Sequence, residues 1–452
     1  MARVFETEIE ITDALYPNLG IAFQNAVKIA VKNTLPGQIV RARVKFSKKG
    51  SVGKATQIIK HADYEITPRC ADFGFCGGCV YQNLTYEKEI ELKEKTVLNL
   101  LSQNDVQGFE YLGIIPSPCK AGYKNKMEFS FGDSEKGGIL QLGMHKRGAY
   151  YEVVTPQNCN IADGDFKKIA DFTLDFFRKE GESFYHKMMK TGSLRHLVIR
   201  KAAFTGEIMV NIVTSSFVRA NLNKFAQNLA EIKFDGKLCS VVHTVNNSSA
   251  DAVICEELHL LCGRGFITEN LLGLKFKITP FSFFQTNSHG AEKLYETVRD
   301  YAGNLKDKTA LDLYCGTGTI TQILSPCVKK ITGIEIVPEA VNAAKENVLE
   351  NGITNCDFIC GDVLSQINDI AEKPHLVVLD PPREGVHPKA ITKIIGVGAA
   401  KIIYVSCNPV TLVRDLRIFT EAGYMAEKIT LCDMFPRTAH AETVCLLKGK
   451  NH

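Results

Sequence analysis

Hydrophobic and polar positions alternate with the period of a β-strand in the first part of the chain. In the run 39–46, apolar residues occupy every second position from Val40, and Arg41, Arg43 and Lys45 stand between them. Short runs of this kind, separated by turn signals, continue through residues 1–63. The pattern predicts a small OB-like β-barrel with a basic outer face, of a type that binds oligonucleotides. A generic small β-domain with a charged wet side fits the same pattern.

The periodicity changes twice further along the chain. Over residues 64–270, helical stretches such as DFKKIADFTLDFFRKE are mixed with strand-like runs such as EIMVNIVT, which predicts a central mixed α/β domain. From residue 271 to 452, strands that end in polar or glycine turns alternate with helices such as PEAVNAAKENVLENG. This alternation predicts a doubly wound, Rossmann-like domain with a largely parallel sheet. The predicted fold class is therefore multidomain α/β.

Composition places the chain among ordinary globular proteins. Its 452 residues are 45% hydrophobic and 23% charged, which argues against long disorder, collagen and coiled coil. The start, MARVFETEIE, has no apolar signal region, and no run of about 18 uncharged apolar residues follows. We therefore expect a cytoplasmic protein without a membrane partner.

The charge is uneven along the chain although the net value is only +4. Residues 1–60 carry ten Lys and Arg against four Asp and Glu. A basic segment on a near-neutral body suggests contact with a polyanion such as nucleic acid, and a solvated basic face explains it equally well.

Acidic residues follow four successive strands of the predicted doubly wound domain: Asp312, Glu335, Asp362 and Asp380. Ligands of open α/β sheets bind outside the carboxyl ends of the strands, and Gly316 and Gly318 allow close approach there. The CGTGT loop has no P-loop lysine and lacks the third glycine of a dinucleotide fingerprint. The pattern favours a nucleoside without phosphates, such as S-adenosylmethionine (SAM), whose cationic sulfonium tolerates carboxylates. Incidental acids at strand ends are the alternative.

Cys407 directly follows the strand-like run KIIYVS and so belongs to the same ligand face. Beside a methyl donor, a thiolate that adds to C6 of uracil makes C5 nucleophilic enough to accept a methyl group. A base must then remove the C5 proton, and Glu442 in DMFPRTAHAETV is the candidate. A buried core thiol and a surface acid are the alternatives for the two residues.

Several stretches of the chain resemble the RNA uracil-C5 methyltransferase family. They are FFQTN (283–287), DLYCGTGT (312–319), LDPPREG (379–385), VSCNPVTLVRD (405–415) and DMFPRTAHAE (433–442), with YKNKMEFSF (123–131), CADFGFCGGC (70–79) and a TRAM-like N-terminus in addition. The resemblance therefore extends over nearly the whole chain.

The resemblance implies specific roles and a substrate. Cys407 is the implied nucleophile and Glu442 the implied proton acceptor, while Phe283 is implied to stack on a base. The residues implied to bind SAM are Gln285, Tyr314, Glu335, Asp362 and Asp380. The TRAM-like segment implies the branch that acts on 23S ribosomal RNA, and we expect a monomer. The alternatives are the same reaction on the tRNA T-loop, and a non-catalytic RNA-binding iron–sulfur protein.

The fifteen cysteines include one tight group, Cys70, Cys76 and Cys79, for which Cys159 is a candidate fourth partner. Four thiolates bind either zinc or an iron–sulfur cluster, and spacing does not decide between them. Resemblance to the ribosomal RNA enzymes implies a [4Fe–4S] cluster. Four unrelated thiols are the alternative.

Overall fold

The computed structural model describes residues 4–47, 50–250, 252–367, 370 and 372–449. The chain forms two compact units. The first unit comprises Met1–Arg69, Cys79–Ser117 and Leu379–His452, and the second comprises Cys70–Gly78 and Pro118–Val378. The predicted boundaries at residues 63 and 270 stay predictions.

The strands are, in chain order, β1 (Val4–Glu10), β2 (Asp13–Leu15), β3 (Leu19–Gln24), β4 (Val27–Lys32), β5 (Ile39–Ser47), β6 (Gly50–Lys60), β7 (Glu110–Ile115), β8 (Lys126–Gly132), β9 (Gln141–Lys146), β10 (Ala149–Val154), β11 (Leu194–Lys201), β12 (Glu207–Thr214), β13 (Lys237–Val245), β14 (Glu257–Gly263), β15 (Ile267–Leu271), β16 (Leu274–Ile278), β17 (Leu305–Leu313), β18 (Val328–Glu335), β19 (Cys356–Cys360), β20 (Leu376–Leu379), β21 (Lys401–Ser406), β22 (Tyr424–Cys432) and β23 (Glu442–Gly449). The helices are α1 (Tyr86–Gln103), α2 (Gly164–Lys179), α3 (Leu222–Ala230), α4 (Ser288–Ala302), α5 (Thr319–Leu324), α6 (Pro338–Glu350), α7 (Val363–Gln366), α8 (Pro388–Val397) and α9 (Pro409–Glu421), with a 3₁₀ turn at Ser325–Cys327.

The N-terminal part of the first unit is a six-stranded sheet in the order β1-β5-β6-β4-β3-β2. Its core is aliphatic: Ile9, Ile11, Ala22, Ile29, Val31, Val40, Ala42 and Val44. The predicted alternation on β5 is confirmed, because Val40, Ala42 and Val44 are buried while the intervening basic residues are exposed. A β-rich N-terminal region is thus confirmed, and its assignment as an OB-like TRAM barrel stays a prediction.

The remainder of the first unit contains α1, α8, α9 and a sheet segment in the order β21-β23-β22-β7. β23 runs antiparallel to both β21 and β22, whereas β7 runs parallel to β22. Helix α1 begins at Thr85, whose side chain accepts a hydrogen bond from the Lys88 amide and so satisfies one free donor of the first turn.

The second unit contains the seven-stranded sheet β10-β9-β8-β11-β12-β13-β14, against which α2 and α3 pack. A hairpin of β15 and β16 follows. The strands β19-β18-β17-β20 are neighbours in that order, and β17, β18 and β19 run parallel. The alternation predicted from residue 271 is confirmed here, including α6, which begins at Pro338. Within the described residues, no helix is long and apolar enough to cross a membrane.

Candidate active site

The strand register of the first unit brings Cys407 and Glu442 face to face. β21 and β23 are antiparallel, and Ser406 pairs with Thr443. Cys407 follows Ser406, and Glu442 precedes Thr443, so Cys407 and Glu442 lie opposite each other in the antiparallel register. Two residues that are 35 apart in sequence thus become neighbours.

Burial and neighbouring charges shift the protonation of both side chains. The pKa of Glu442 is raised to about 8, mainly by burial and also by the negative charge of Asp380, while the guanidinium of Arg383 opposes both. Burial also raises the pKa of the Cys407 thiol to about 11, again with Glu442 increasing it and Arg383 lowering it. Burial alone raises the pKa of Asp380 to about 7. The structure thus brings together a thiol, two carboxyl groups and one cation.

The loop after β20 holds Arg383 beside this group because α9 anchors its backbone. Asn408 Nδ2 donates to the Arg383 carbonyl at 3.0 Å, and Arg414 Nη2 donates to the Glu384 carbonyl at 2.9 Å. The Val386 amide donates to Asp415 Oδ2 at 2.8 Å. Asn408 also caps α9, since its side chain accepts from the Val410 amide. The same helix start therefore fixes Cys407 and the loop.

Gly385 is the position at which this loop tolerates least change. Its φ is +75°, and an added Cβ would lie 2.6 Å from both Arg414 Nη2 and Asp415 Oδ2. We expect Gly385→Ala to lower the free energy of unfolding by about 1–3 kcal/mol and to reduce turnover about tenfold by displacing Arg383. Urea unfolding and methyl-transfer rates measure this. Gly396→Ala is the control, since nothing lies within 4 Å of its added Cβ; equal losses in both variants would contradict the assignment.

A buried ion-pair network fixes the segment that leads into Glu442. Lys93 of α1 donates to Glu89 Oε1 at 2.8 Å and to Asp433 Oδ1 at 2.7 Å. The Arg437 amide donates to Glu89 Oε1 at 2.6 Å, and Tyr86 Oη donates to Asp433 Oδ2 at 2.8 Å. Because these charges are paired, their burial is sustainable, and the pairs give the segment one conformation.

Tyr16 is a neighbour of this group that the sequence did not indicate. Its hydroxyl lies 3.2 Å from His440 Nδ1. Burial raises the pKa of Tyr16, and the negative charges of Cys407 and Glu442 raise it further, so the phenol keeps its proton. No motif marks a tyrosine of the N-terminal β-region as a partner of residues almost 400 positions later.

A second group of predicted residues lies at one sheet edge of the second unit. Tyr314 and Glu335 stand at the carboxyl ends of β17 and β18, and Asp362 follows β19. The Glu335 carboxylate accepts from the Gly316 amide at 3.1 Å and from the Val337 amide at 2.9 Å. These two bonds hold the Glu335 carboxylate against the glycine loop. Nucleoside ligands of α/β sheets bind at this position, outside the carboxyl ends of the strands.

The glycine loop itself has the conformation that its sequence suggests. Tyr314 has a φ of +67° and Gly318 a φ of +74°. A Cβ at Gly318 would lie 2.7 Å from the Phe358 ring, so only glycine fits there.

The other predicted site residues lie outside this loop. Gln285 lies between β16 and α4, where its carbonyl accepts from Asn125 Nδ2 at 3.1 Å. Phe283, two residues earlier, is 70% exposed, and Asp380 belongs to the first unit.

The four cysteines of the predicted cluster are divided between the two units. Cys70, Cys76 and Cys159 belong to the second unit, and burial together with the charge of the neighbouring thiols raises the pKa of Cys70 and Cys76. Cys79 belongs to the first unit, where its Sγ accepts from Gln82 Nε2 at 3.5 Å. Thiols suit a soft metal. However, no three His, Cys, Asp or Glu side chains of the described ranges are arranged to hold a metal ion, so the predicted cluster is not supported.

The chain matches known proteins over its full length. The model of the tRNA (uracil-5-)-methyltransferase family matches residues 255–450. An RNA methyltransferase of Clostridium tetani, named as uncharacterized, is 47% identical over 452 residues, which are 100% of this chain and 99% of that protein. A similarly named protein of Clostridium acetobutylicum is 47% identical over 98% of this chain and 97% of its own length.

The chain belongs to the RNA uracil-C5 methyltransferase family. The resemblance inferred from its motifs is thereby confirmed. Among solved structures, this family member is similar to the Pyrococcus abyssi tRNA (uracil-54, C5)-methyltransferase, which was crystallised with S-adenosyl-L-homocysteine. The similarity has a TM-score of 0.75 at 26% identity, and it covers 97% of this chain and 100% of that one.

This structural similarity bears on the RNA class. The N-terminal β-region was the reason to expect 23S ribosomal RNA. A tRNA enzyme that matches 97% of the chain must have a counterpart for most of that region. The β-region therefore does not distinguish a ribosomal RNA enzyme from a tRNA enzyme in this family.

Proposed function

We propose that this chain methylates C5 of a uridine in RNA, with SAM as methyl donor and Cys407 as covalent nucleophile. The observation that carries the proposal is the register that sets Cys407 opposite Glu442, with Arg383 beside both. A nucleophile and a base on one face of a pyrimidine are what methylation at carbon requires.

Cys407 begins the reaction by adding its thiolate to C6, which makes an enolate with nucleophilic character at C5. SAM supplies the methyl group, so C5 gains a bond to carbon and S-adenosylhomocysteine leaves. Glu442 takes the C5 proton, the C5–C6 double bond re-forms, and the Cys407 thiolate departs. Atoms and charge balance, since one proton passes to Glu442 and one methyl group to C5.

The local charges suit these roles. The Cys407 thiol lies just before the cap of α9, where the positive end of the helix favours an anion; this end and Arg383 oppose the burial and the carboxylates that raise the thiol pKa to about 11. Glu442 is buried among groups that raise its pKa, which makes it a stronger base than a solvated carboxylate. Tyr16 and His440 form a hydrogen-bonded pair beside the two reacting groups, and we assign them a positioning role.

For cofactor binding, we assign Tyr314, Glu335 and Asp362 at the strand ends of the second unit, with Gln285, to SAM. Asp380, of the first unit, stays a prediction as a SAM ligand. Ribose hydroxyls are natural donors to the Glu335 carboxylate, and the glycine loop admits the ligand to backbone distance. The strand-end position of three of these residues supports the assignment.

We also propose a [4Fe–4S] cluster, held by Cys70, Cys76, Cys79 and Cys159. The cluster takes no part in the methyl transfer by Cys407 and Glu442. The proximity of Cys70 and Cys159 to Cys76, whose thiol pKa they help to raise, supports the proposal. Protein purified without oxygen is expected to be brown and to contain iron. Colourless protein that contains zinc would refute the cluster.

Two RNA classes are candidates for the substrate. The TRAM-like N-terminus motivated 23S ribosomal RNA, and similarity to the Pyrococcus abyssi enzyme favours the tRNA T-loop. Incubating the protein with tritiated SAM and unmodified transcripts of each class, followed by nucleoside analysis, separates them. Label in 5-methyluridine from one class supports the function, and label in no uridine from either class would overturn it.

The pH dependence of product release is a direct consequence of the Glu442 environment. Its folded-state pKa of about 8 lies above the ordinary value, so the carboxyl is largely protonated at neutral pH and ionises as pH rises through about 8. Once the methylated adduct has formed, we expect release of the RNA from it to accelerate about tenfold per pH unit below that value and then to level off. A flat profile over this range would contradict the assignment of the base.

A further inference from the structure

The second unit contains a cavity of about 600 Å³ that no step of the proposed reaction uses. It lies among the ends of β8, β10 and β11 and the loop 184–189, and we call it the β8–β11 cavity. The proposed SAM ligands Gln285, Tyr314, Glu335 and Asp362 are not among its lining residues. Its volume is in the range of small-ligand sites.

The floor of the β8–β11 cavity is polar and buried. Ser130 and His196 are paired across β8 and β11, and the Ser130 hydroxyl lies 3.4 Å from His196 Nδ1. The same hydroxyl lies 3.3 Å from His145 Nε2. Two imidazoles joined by a hydroxyl offer both donors and acceptors, which suits the edge of a nucleobase.

Aromatic rings form the walls. Phe184 and Tyr185 are among the lining residues, and the Arg195 guanidinium, which also lines the cavity, lies 4.6 Å from the centroid of the Tyr185 ring. Arg195 is itself fixed by bonds to three carbonyls, among them Ser248 O at 2.7 Å. Tyr151 also lines the cavity and is 81% exposed. A preorganised ring and an accessible ring together make a stacking site for a planar base.

Two lysines of the lining, Lys136 and Lys187, form what we call the lysine rim, and Lys190 follows in the same turn as Lys187. The lining also has two acids: Glu152 pairs with Lys146, and Asp133 Oδ2 accepts from the Gly137 amide. With Arg195, the lining has three cations against two acids. This small positive balance around an aromatic site is compatible with a phosphate backbone.

The cysteine loop lies beside this cavity. The Gly77 amide donates to the His145 carbonyl at 3.0 Å, and the Arg147 amide donates to the Phe75 carbonyl at 2.6 Å. Phe75 is 64% exposed. The cysteine loop is thus bonded to the strand that carries His145, and it presents an exposed aromatic ring of the same unit.

We propose that the β8–β11 cavity binds one unpaired nucleotide of the RNA, separate from the uridine that is methylated. The base stacks against the aromatic wall, its edge meets Ser130 and the two histidines, and the neighbouring phosphates face the lysine rim. The inference rests on the proposed function, since it takes RNA as the substrate. It adds a second point at which the RNA must be single-stranded.

The test measures RNA binding without catalysis. Fluorescence anisotropy is recorded for the full chain and a short labelled single-stranded RNA of mixed sequence, with the corresponding duplex for comparison. We expect Tyr151→Ala to weaken single-strand binding about 5- to 100-fold, the range for losing one stacked base, and Tyr151→Phe to bind as the wild type does. Phe217→Ala is the matched control, because Phe217 is a 61% exposed ring of the same unit outside the cavity.

Photo-crosslinking then locates the contact. The same RNA carrying 4-thiouridine is irradiated with the protein, and the attached peptides are identified by mass spectrometry. Attachment within residues 145–153 or 184–196 supports the proposal. Attachment only elsewhere, or equal affinities for Tyr151→Ala and Phe217→Ala, would overturn it, as would occupation of the cavity by a peptide or small molecule. Neither measurement needs methyl transfer. The RNA affinity and the crosslinked peptides can therefore be interpreted even if the methylation assay fails.

Discussion

Replacing Cys407 by alanine is expected to abolish formation of 5-methyluridine, with a loss of roughly 10⁴- to 10⁶-fold, as when other enzymes lose a covalent nucleophile. The reason is that uracil C5 does not attack a methyl donor until a thiolate has added to C6. RNA that contains 5-fluorouridine makes the step visible, because fluorine does not leave as a proton does. The wild-type protein with SAM should therefore form a complex that survives a denaturing gel.

Cys239→Ala is the matched control for this prediction, since Cys239 and Cys407 are both partly exposed thiols. That variant should form the complex and turn over normally, whereas Cys407→Ala should do neither. A complex that persists in Cys407→Ala would show that another group is the nucleophile. Such a result would favour the alternative of an RNA-binding protein that has lost its catalytic centre.

Replacing Glu442 by glutamine is expected to have an effect of similar size on turnover, but at a later step. The amide does not accept the C5 proton, so elimination stops and native, unfluorinated RNA stays attached to Cys407. A denaturing gel with radiolabelled RNA should show a shifted band for Glu442→Gln and none for the wild type. The RNA in that band should already carry the methyl group.

Glu384→Gln tests whether any nearby carboxylate would give the same result. Glu384 is an exposed acid of the loop that holds Arg383, and its substitution should leave release unchanged. Rapid turnover by Glu442→Gln would remove Glu442 from the role of base. Trapping in both variants would point instead to a general effect on the loop.

Folding and catalysis favour opposite ionisation states of Glu442. Because its pKa is raised in the folded protein, the protonated form contributes stability that is complete below pH 4.5 and is lost as pH rises through about 8. The reaction needs the ionised form. Glu442→Gln should therefore remove this part of the pH dependence of unfolding while it blocks release.

Local patterns of the sequence predicted much of the secondary structure. The alternation on β5 and the proline at the start of α6 are short-range signals, and the structure contains both elements. Glu335 at the end of β18 and Asp362 after β19 were also predictable, because parallel strands bring their carboxyl ends to one edge. Asp312 was expected after its strand but lies within β17, where it is fully buried and accepts a bond from the Thr321 hydroxyl.

The sequence predicted less well which residues come together around Cys407. Cys407 and Glu442 were chosen by chemistry and resemblance, but their opposition depends on the register of β21 and β23, which no local pattern specifies. Tyr16 was missed for the same reason, since its contact with His440 joins residues 424 positions apart. The β8–β11 cavity likewise combines segments whose polar and aromatic residues look unremarkable when each is taken alone.

The assignment of the N-terminal β-region to ribosomal RNA shows a different limit. The presence of an RNA-binding domain indicates that the partner is RNA, but it does not indicate which RNA, because phosphate contacts carry no sequence information. Similarity to a tRNA enzyme over nearly the whole chain shows that the same domain content occurs with another substrate.

Peptide mapping of the complex trapped on 5-fluorouridine RNA tests the central claim most directly. After nuclease and protease digestion, tandem mass spectrometry should find one modified peptide, with a methylated fluorouracil nucleotide attached to the sulfur of Cys407. Attachment to another residue, or formation of 5-methyluridine by a protein that never becomes attached to its RNA, would contradict the proposed chemistry.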